Sequence, residues 1–182
     1  TKEYEETNIP TPRSVSSDNE FYGKVWKNGF VEFIPVLNSS NHSVTFNIIN
    51  SQENKGCVLS NIGYDIYLVT APALANDSNA QASQRVPMKL RCTIGYHDQS
   101  GAKKETILQT NIQNNPDVVD YLLLAEDFKF PCCAYGVEEE EPQVTLKLEN
   151  RVSSTEQRDN KFTRTMRIDC IMLVPHGCST VT

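Results

Sequence analysis

The stretch "MKLRCTIGY", residues 88–96, alternates cleanly: Met88, Leu90, Cys92, Ile94 and Tyr96 are apolar or aromatic, while Lys89, Arg91 and Thr93 between them are polar. Successive side chains of an extended chain point to opposite faces. This spacing therefore predicts a β-strand with one buried face and one wet face. The same pattern extends in both directions from it. "SVTFNII" (43–49) sets Val44, Phe46 and Ile48 against Thr45 and Asn47. "YDIYLVTA" (64–71) sets Tyr64, Ile66 and Leu68 against Asp65, Tyr67 and Val69. "GFVEFIPV" (29–36), "ETILQTNI" (105–112), "QVTLKLENRV" (143–152) and "FTRTMRIDCIML" (162–173) read as further strands. In the last of these, Met166, Ile168, Cys170 and Met172 are expected to share one face, with Arg167 and Asp169 opposite, followed there by Ile171 and Leu173.

Turn chemistry separates these runs. "HDQSG" (97–101) reads as a hairpin, and "QNNP" (113–116) as a turn whose Asn115 is pushed out of helical space by Pro116. "DVVDYLLLAEDF" (117–128) is the one ambiguous segment, because Leu, Ala and Glu also favour helix. Its Val and Tyr content and its strand-rich neighbours assign it to a strand. No segment sustains a helical apolar period. About eight strands at short spacing predict an all-β fold, an antiparallel β-sandwich of the jelly-roll kind. Residues 1–20, with the breakers of "NIPTPRSVSSDN", read as a linker or N-terminal arm. The expected organisation is thus one sandwich domain over 21–178 and a short tail at 179–182. The abrupt start in "TKEYEETNIPTPRS" reads as a cut from a longer precursor. The long segments 73–86 and 152–161 read as loops.

Composition narrows the function. The chain of 182 residues is 38% hydrophobic and 22% charged, as expected for one domain with one core. Its net charge of −6 and the lack of a Lys/Arg cluster argue against a nucleic-acid partner. No run of 18 apolar residues exists, so no membrane-inserting segment is expected. The acidic run Glu138–Glu141 reads as a solvated loop and lacks the spaced oxygen ligands of a calcium loop. Cysteines at 57, 92, 132, 133, 170 and 178 form no CxxC pair. Cys92 and Cys170 fall at inward strand positions, which predicts buried reduced thiols. A single bridge involving Cys57, Cys178 or the adjacent Cys132 and Cys133 stays open.

No catalytic constellation stands out. The histidines are His42, His97 and His176, and the pairing of His176 with Cys178 would require an orientation that a chain end rarely supplies. Phosphate-loop spacing is absent. Sugar recognition on a β-sandwich requires aromatic faces that pack on C–H surfaces, with amides, imidazoles or carboxylates beside them to read hydroxyls. On that ground the candidate ligand-binding residues are Trp26 and Tyr22, in "FYGKVWKNGF", with Tyr96, His97 and Asp98 at a hairpin end. The competing reading is structural, since large aromatics often line the edge of a core.

Three stretches carry a resemblance: "VEFIPVLNSSNHSVTFNIIN" (31–50), "IGYDIYLVTAPALAND" (62–77), and "DVVDYLLLAEDFKFP" (117–131) taken with "TRTMRIDCIMLVP" (163–175). Together they resemble the C-terminal β-sandwich module of Bacteroides-type fasciclin-domain surface lipoproteins, over residues 29–175. The order of strands is similar to galactose-binding-like jelly rolls, which include carbohydrate-binding modules. The resemblance implies an exported, non-catalytic module at the cell surface or outer membrane, within a larger lipoprotein of polysaccharide uptake. It implies a glycan or a surface protein as partner and no cofactor; similar jelly rolls leave room for a structural calcium, for which the sequence offers no ligand set. The alternative is a structural or protein-interaction spacer without a small-molecule ligand. The six cysteines are more than the resemblance leads one to expect.

Overall fold

The computed structural model describes residues 4–7, 11–16, 29–35, 42–50, 62–72, 85–97, 100–130 and 142–178. Its strands are β1 (Tyr4–Thr7), β2 (Thr11–Ser16), β3 (Gly29–Ile34), β4 (Ser43–Asn50), β5 (Tyr64–Thr70), β6 (Lys89–His97), β7 (Lys103–Gln113), β8 (Asp120–Phe128), β9 (Pro142–Asn150) and β10 (Met166–Pro175), with one short helix, α1 (Ser154–Arg158). Two five-stranded sheets form: sheet A in the order β1-β4-β9-β6-β7 and sheet B in the order β2-β3-β10-β5-β8. Every strand pair is antiparallel. The fold is an antiparallel jelly-roll sandwich. All eight expected strands are present. Two more, β1 and β2, come from the segment read as an arm, and their backbones pair with β4 and β3 at one edge of each sheet.

The alternation of β6 has the predicted consequence: Leu90, Cys92 and Ile94 are buried between the sheets, facing inward residues of sheet B such as Phe33, Ile66 and Leu68 in one continuous core. The ambiguous segment is a strand over Asp120–Phe128, because Leu122 and Leu124 enter the core while Tyr121 and Leu123 stay exposed. A helix would have scattered these four around its circumference.

Strand β10 differs from its predicted faces. Its pairing with β5 shifts register between Ile168 and Cys170, leaving Asp169 as a bulge. An extra residue inverts the alternation beyond it. Met166 and Ile168 point inward as expected, but past the bulge it is Ile171 and Leu173 that pack on the core, opposite Leu68 and Ile66. Cys170 and Met172 therefore turn to the outer face, and the inward position read for Cys170 is corrected to a partly exposed one. Cys92 is fully buried, and burial pushes its thiol up to about 12. Cys92, Cys170 and Cys178 are free thiols, which leaves Cys178 out of the bridge considered for it; Cys57, Cys132 and Cys133 lie outside the described residues.

The 152–161 segment is not all loop. Ser153 caps α1 with its side chain on the Glu156 N–H, and the Glu156 carboxylate accepts from the Ser153 N–H, a capping box. Glu156 also binds Lys89 Nζ at 2.5 Å, and this contact, with the Ser153 N–H, holds its carboxyl down near about 2.

Candidate functional site

The two outer faces of the sandwich differ in chemistry, and the cross-strand register shows how. On sheet A the outward positions of β4, β9, β6 and β7 align as Thr45, Lys147, Thr93 and Ile107, flanked by the row Ser43, Glu149 and Arg91. On sheet B the outward positions of β10, β5 and β8 align as Cys170, Val69 and Tyr121 in one row, and Met172, Tyr67 and Leu123 in the next. Residues directly opposite or diagonal on neighbouring strands touch on one face. These six therefore form one apolar and aromatic surface. It grades from fully covered to open: Val69 is 1% exposed, Tyr67 is half-buried, and Tyr121 and Leu123 on the edge strand are 43% and 40% exposed.

A polar pair lies at each end of this surface. At the β10 N-terminal end, Arg167 faces out beside Glu32 of β3, with Nε donating to Oε2 at 2.9 Å and both side chains over nine-tenths buried. At the β10 C-terminal end, Asp65 Oδ1 accepts from the Asp127 N–H at 2.9 Å and contacts His176 Nδ1 at 2.8 Å. The Asp127 N–H, then the His176 contact, hold the Asp65 carboxyl below its usual value against the opposing effect of burial. Asp65 in turn raises the His176 imidazole, with help from the charges of Asp127 and Glu126. The corner is tight. Asp127 adopts a left-handed backbone with φ 48°, and its carboxylate lies so close to Gly63 that a Cβ there would meet Oδ1 at 1.7 Å.

Asp65 and His176 supply a base and its orienting group, but among the described residues no hydroxyl or thiol is hydrogen-bonded to His176. The Cys170 thiol is pushed up to about 11 by burial and by the Asp169 charge, so it stays protonated and is a poor nucleophile. No group of three or more His, Cys, Asp or Glu side chains among the described residues could hold a metal ion. No described helix is long and apolar enough to cross a membrane.

Of the residues selected from sequence, Trp26, Tyr22 and Asp98 lie outside the described residues. Tyr96 sits near the end of β6, opposite Lys104 and Val144, and packs against the core. His97 follows it, half-buried and opposite Lys103. The structure instead brings together Tyr67 and Tyr121, neither of which was singled out. The signal for Tyr67 was present, since it alternates with core residues. Tyr121 was hidden in the segment where strand and helix competed.

No protein-family profile matches this chain, and no curated protein does. Among solved structures, the chain is similar to the C-terminal family 22 carbohydrate-binding module of Clostridium thermocellum Xyn10B, with a TM-score of 0.51 and 8% identity over 98% of this chain and 89% of that one. It is similar to a xylan-binding domain of the same family, with a TM-score of 0.52 and 10% identity over 98% and 90% of the two chains. A third likeness, TM-score 0.51 and 11% identity, is to the enzymatically active domain of tailspike protein 4 of bacteriophage CBA120, where 94% of this chain matches 19% of that one. At these identities the likeness shows the fold alone, an antiparallel jelly-roll sandwich.

Proposed function

We propose that this chain is a non-catalytic glycan-binding module, carried at the cell surface as part of a larger exported lipoprotein of the fasciclin-associated kind. The observation that supports binding is the open aromatic face of sheet B, on a fold shared over nearly the whole chain with domains described as carbohydrate-binding and xylan-binding. An exposed ring such as Tyr121, with half-buried Tyr67 beside it, suits the C–H faces of sugars, and a hydrogen-bonded carboxylate and imidazole at the edge suit hydroxyls. The resemblance of the sequence to lipoprotein modules supports the surface location. Affinity electrophoresis through gels containing soluble polysaccharides tests the function. Retardation in at least one polysaccharide gel is expected, and unretarded migration in every neutral and anionic gel overturns it. The alternative, a protein-interaction spacer, draws on β7, an edge strand whose side chains are exposed along most of its 11 residues, including Ile107 at 51% exposure. Under that reading, the protein migrates freely in every gel.

A further inference from the structure

We infer that the ligand lies across strands β5 and β8 on the outer face of sheet B, and that it is an uncharged polysaccharide segment. This rests on the glycan-binding reading and goes further by naming the face and the ligand class. Tyr67 and Tyr121 are diagonal neighbours on adjacent strands, so their rings stand roughly 7–8 Å apart at their bases and can stack on successive sugar rings of one chain. Leu123 and Met172 complete the apolar floor beside them. Nothing in the core requires these side chains to be apolar, since the inward residues Ile66, Leu68, Leu122 and Leu124 already close the sandwich beneath them.

The charges on this face select the ligand. Among the described side chains of this face, the cations Arg167 and His176 are each bound to a carboxylate, Glu32 and Asp65. Glu126 and Asp127 lie at the end of the strand carrying Tyr121, beside Asp65. These carboxylates repel a uronic-acid or sulfated polymer. An uncharged polymer meets ring faces along the strands, and at their end the Asp65–His176 pair, whose His176 is 42% exposed and bonds through Nδ1, leaving Nε2 for a hydroxyl.

The test is affinity electrophoresis of the full chain and its variants in neutral and uronic-acid polysaccharide gels. Tyr67→Ala and Tyr121→Ala are each expected to weaken retardation by about tenfold in apparent affinity, the order of one lost stacking contact. Tyr121→Phe, which keeps the ring, retains it, as does Thr145→Ala on sheet A. In the wild-type protein a saturating neutral polysaccharide should also protect Tyr121 from nitration, a readout independent of how the variants fold. Wild-type retardation that persists in both alanine variants, with Tyr121 nitrated equally with and without polysaccharide, overturns this site but leaves the glycan reading standing. Tighter retention on the uronic-acid polymer overturns the ligand class. A wild-type protein that no gel retards removes the functional reading itself.

Discussion

The outer face of sheet A presents Thr45, Lys147 and Thr93 across its central strands, while the same layer of sheet B presents Cys170, Val69 and Tyr121. Both sheets put an equally apolar inner face into one core. Sheet A keeps its outer face polar, with Thr93 covered at 5% exposed and Thr45 and Lys147 more open. Sheet B carries tyrosines and aliphatic groups where nothing in the core calls for them, and it buries an ion pair on that side. The difference teaches where to look: an apolar residue facing in serves the fold, whereas one facing out and left half open is available to a partner.

Breaking the ion pair on sheet B tests the contrast most severely. Arg167→Ala removes the charge partner 2.9 Å from the buried Glu32 carboxylate and is expected to cost about 3–5 kcal/mol, read as a large fall in the urea midpoint. Replacing both partners at once with Met and Leu is expected to restore most of that loss, because the desolvation cost disappears with the charges. Gly63→Ala comes next. Its new Cβ would overlap the Asp127 carboxylate and crowd the Asp127 backbone at 3.0 Å, so a loss of about 1–3 kcal/mol is expected in the same measurement.

A smaller effect separates the two ends of β10 by pH. His176, beyond the last residue of β10, is bound to Asp65 and titrates above its usual 6.5. His42 lies near the other end, 1% exposed with Nε2 on the Arg164 carbonyl at 3.0 Å, and burial makes it titrate below 6.5. The signs follow from which state binds the proton. The stability from His176 is complete below 6.5 and is lost as pH rises through its raised pKa. That from Asp65 is complete above 3.8 and is lost as pH falls through its lowered pKa. Their joint contribution is therefore greatest between 3.8 and 6.5. His42 works the other way: below 6.5 the unfolded chain accepts a proton that the buried imidazole resists, so acidification costs stability. NMR titration of the ring protons should place the two midpoints on opposite sides of 6.5, and Asp65→Asn should draw His176 back toward that value without moving His42. The smallest effect belongs to sheet A. Lys147→Ala removes a half-exposed pair with Glu149 at 3.1 Å and is expected to cost under about 1 kcal/mol.

Individual residues show what could be read in advance. Leu90, Cys92 and Ile94 were legible as core because alternation along one strand is a local property. Cys170 was misplaced because a bulge at Asp169 is set by pairing with β5, about a hundred residues away along the chain, and one extra residue inverts everything after it. The capping box of Ser153 and Glu156 was written in the sequence as S-x-x-E but lay inside a stretch read as loop. In the candidate site, Tyr67 could be assigned to an outward face from its own strand. Its proximity to Tyr121 could not, because two strands separated by more than fifty residues had first to become neighbours.

From the letters alone came the class of fold, an antiparallel jelly-roll sandwich, and the identity of most of the core, since period-two alternation depends only on how an extended backbone projects its side chains. Strand order, the β10 bulge and the tyrosine-bearing face of sheet B were decided only in three dimensions. They depend on which distant strands pair and in what register, and hydrogen bonding between backbones leaves no local trace of that choice in the sequence.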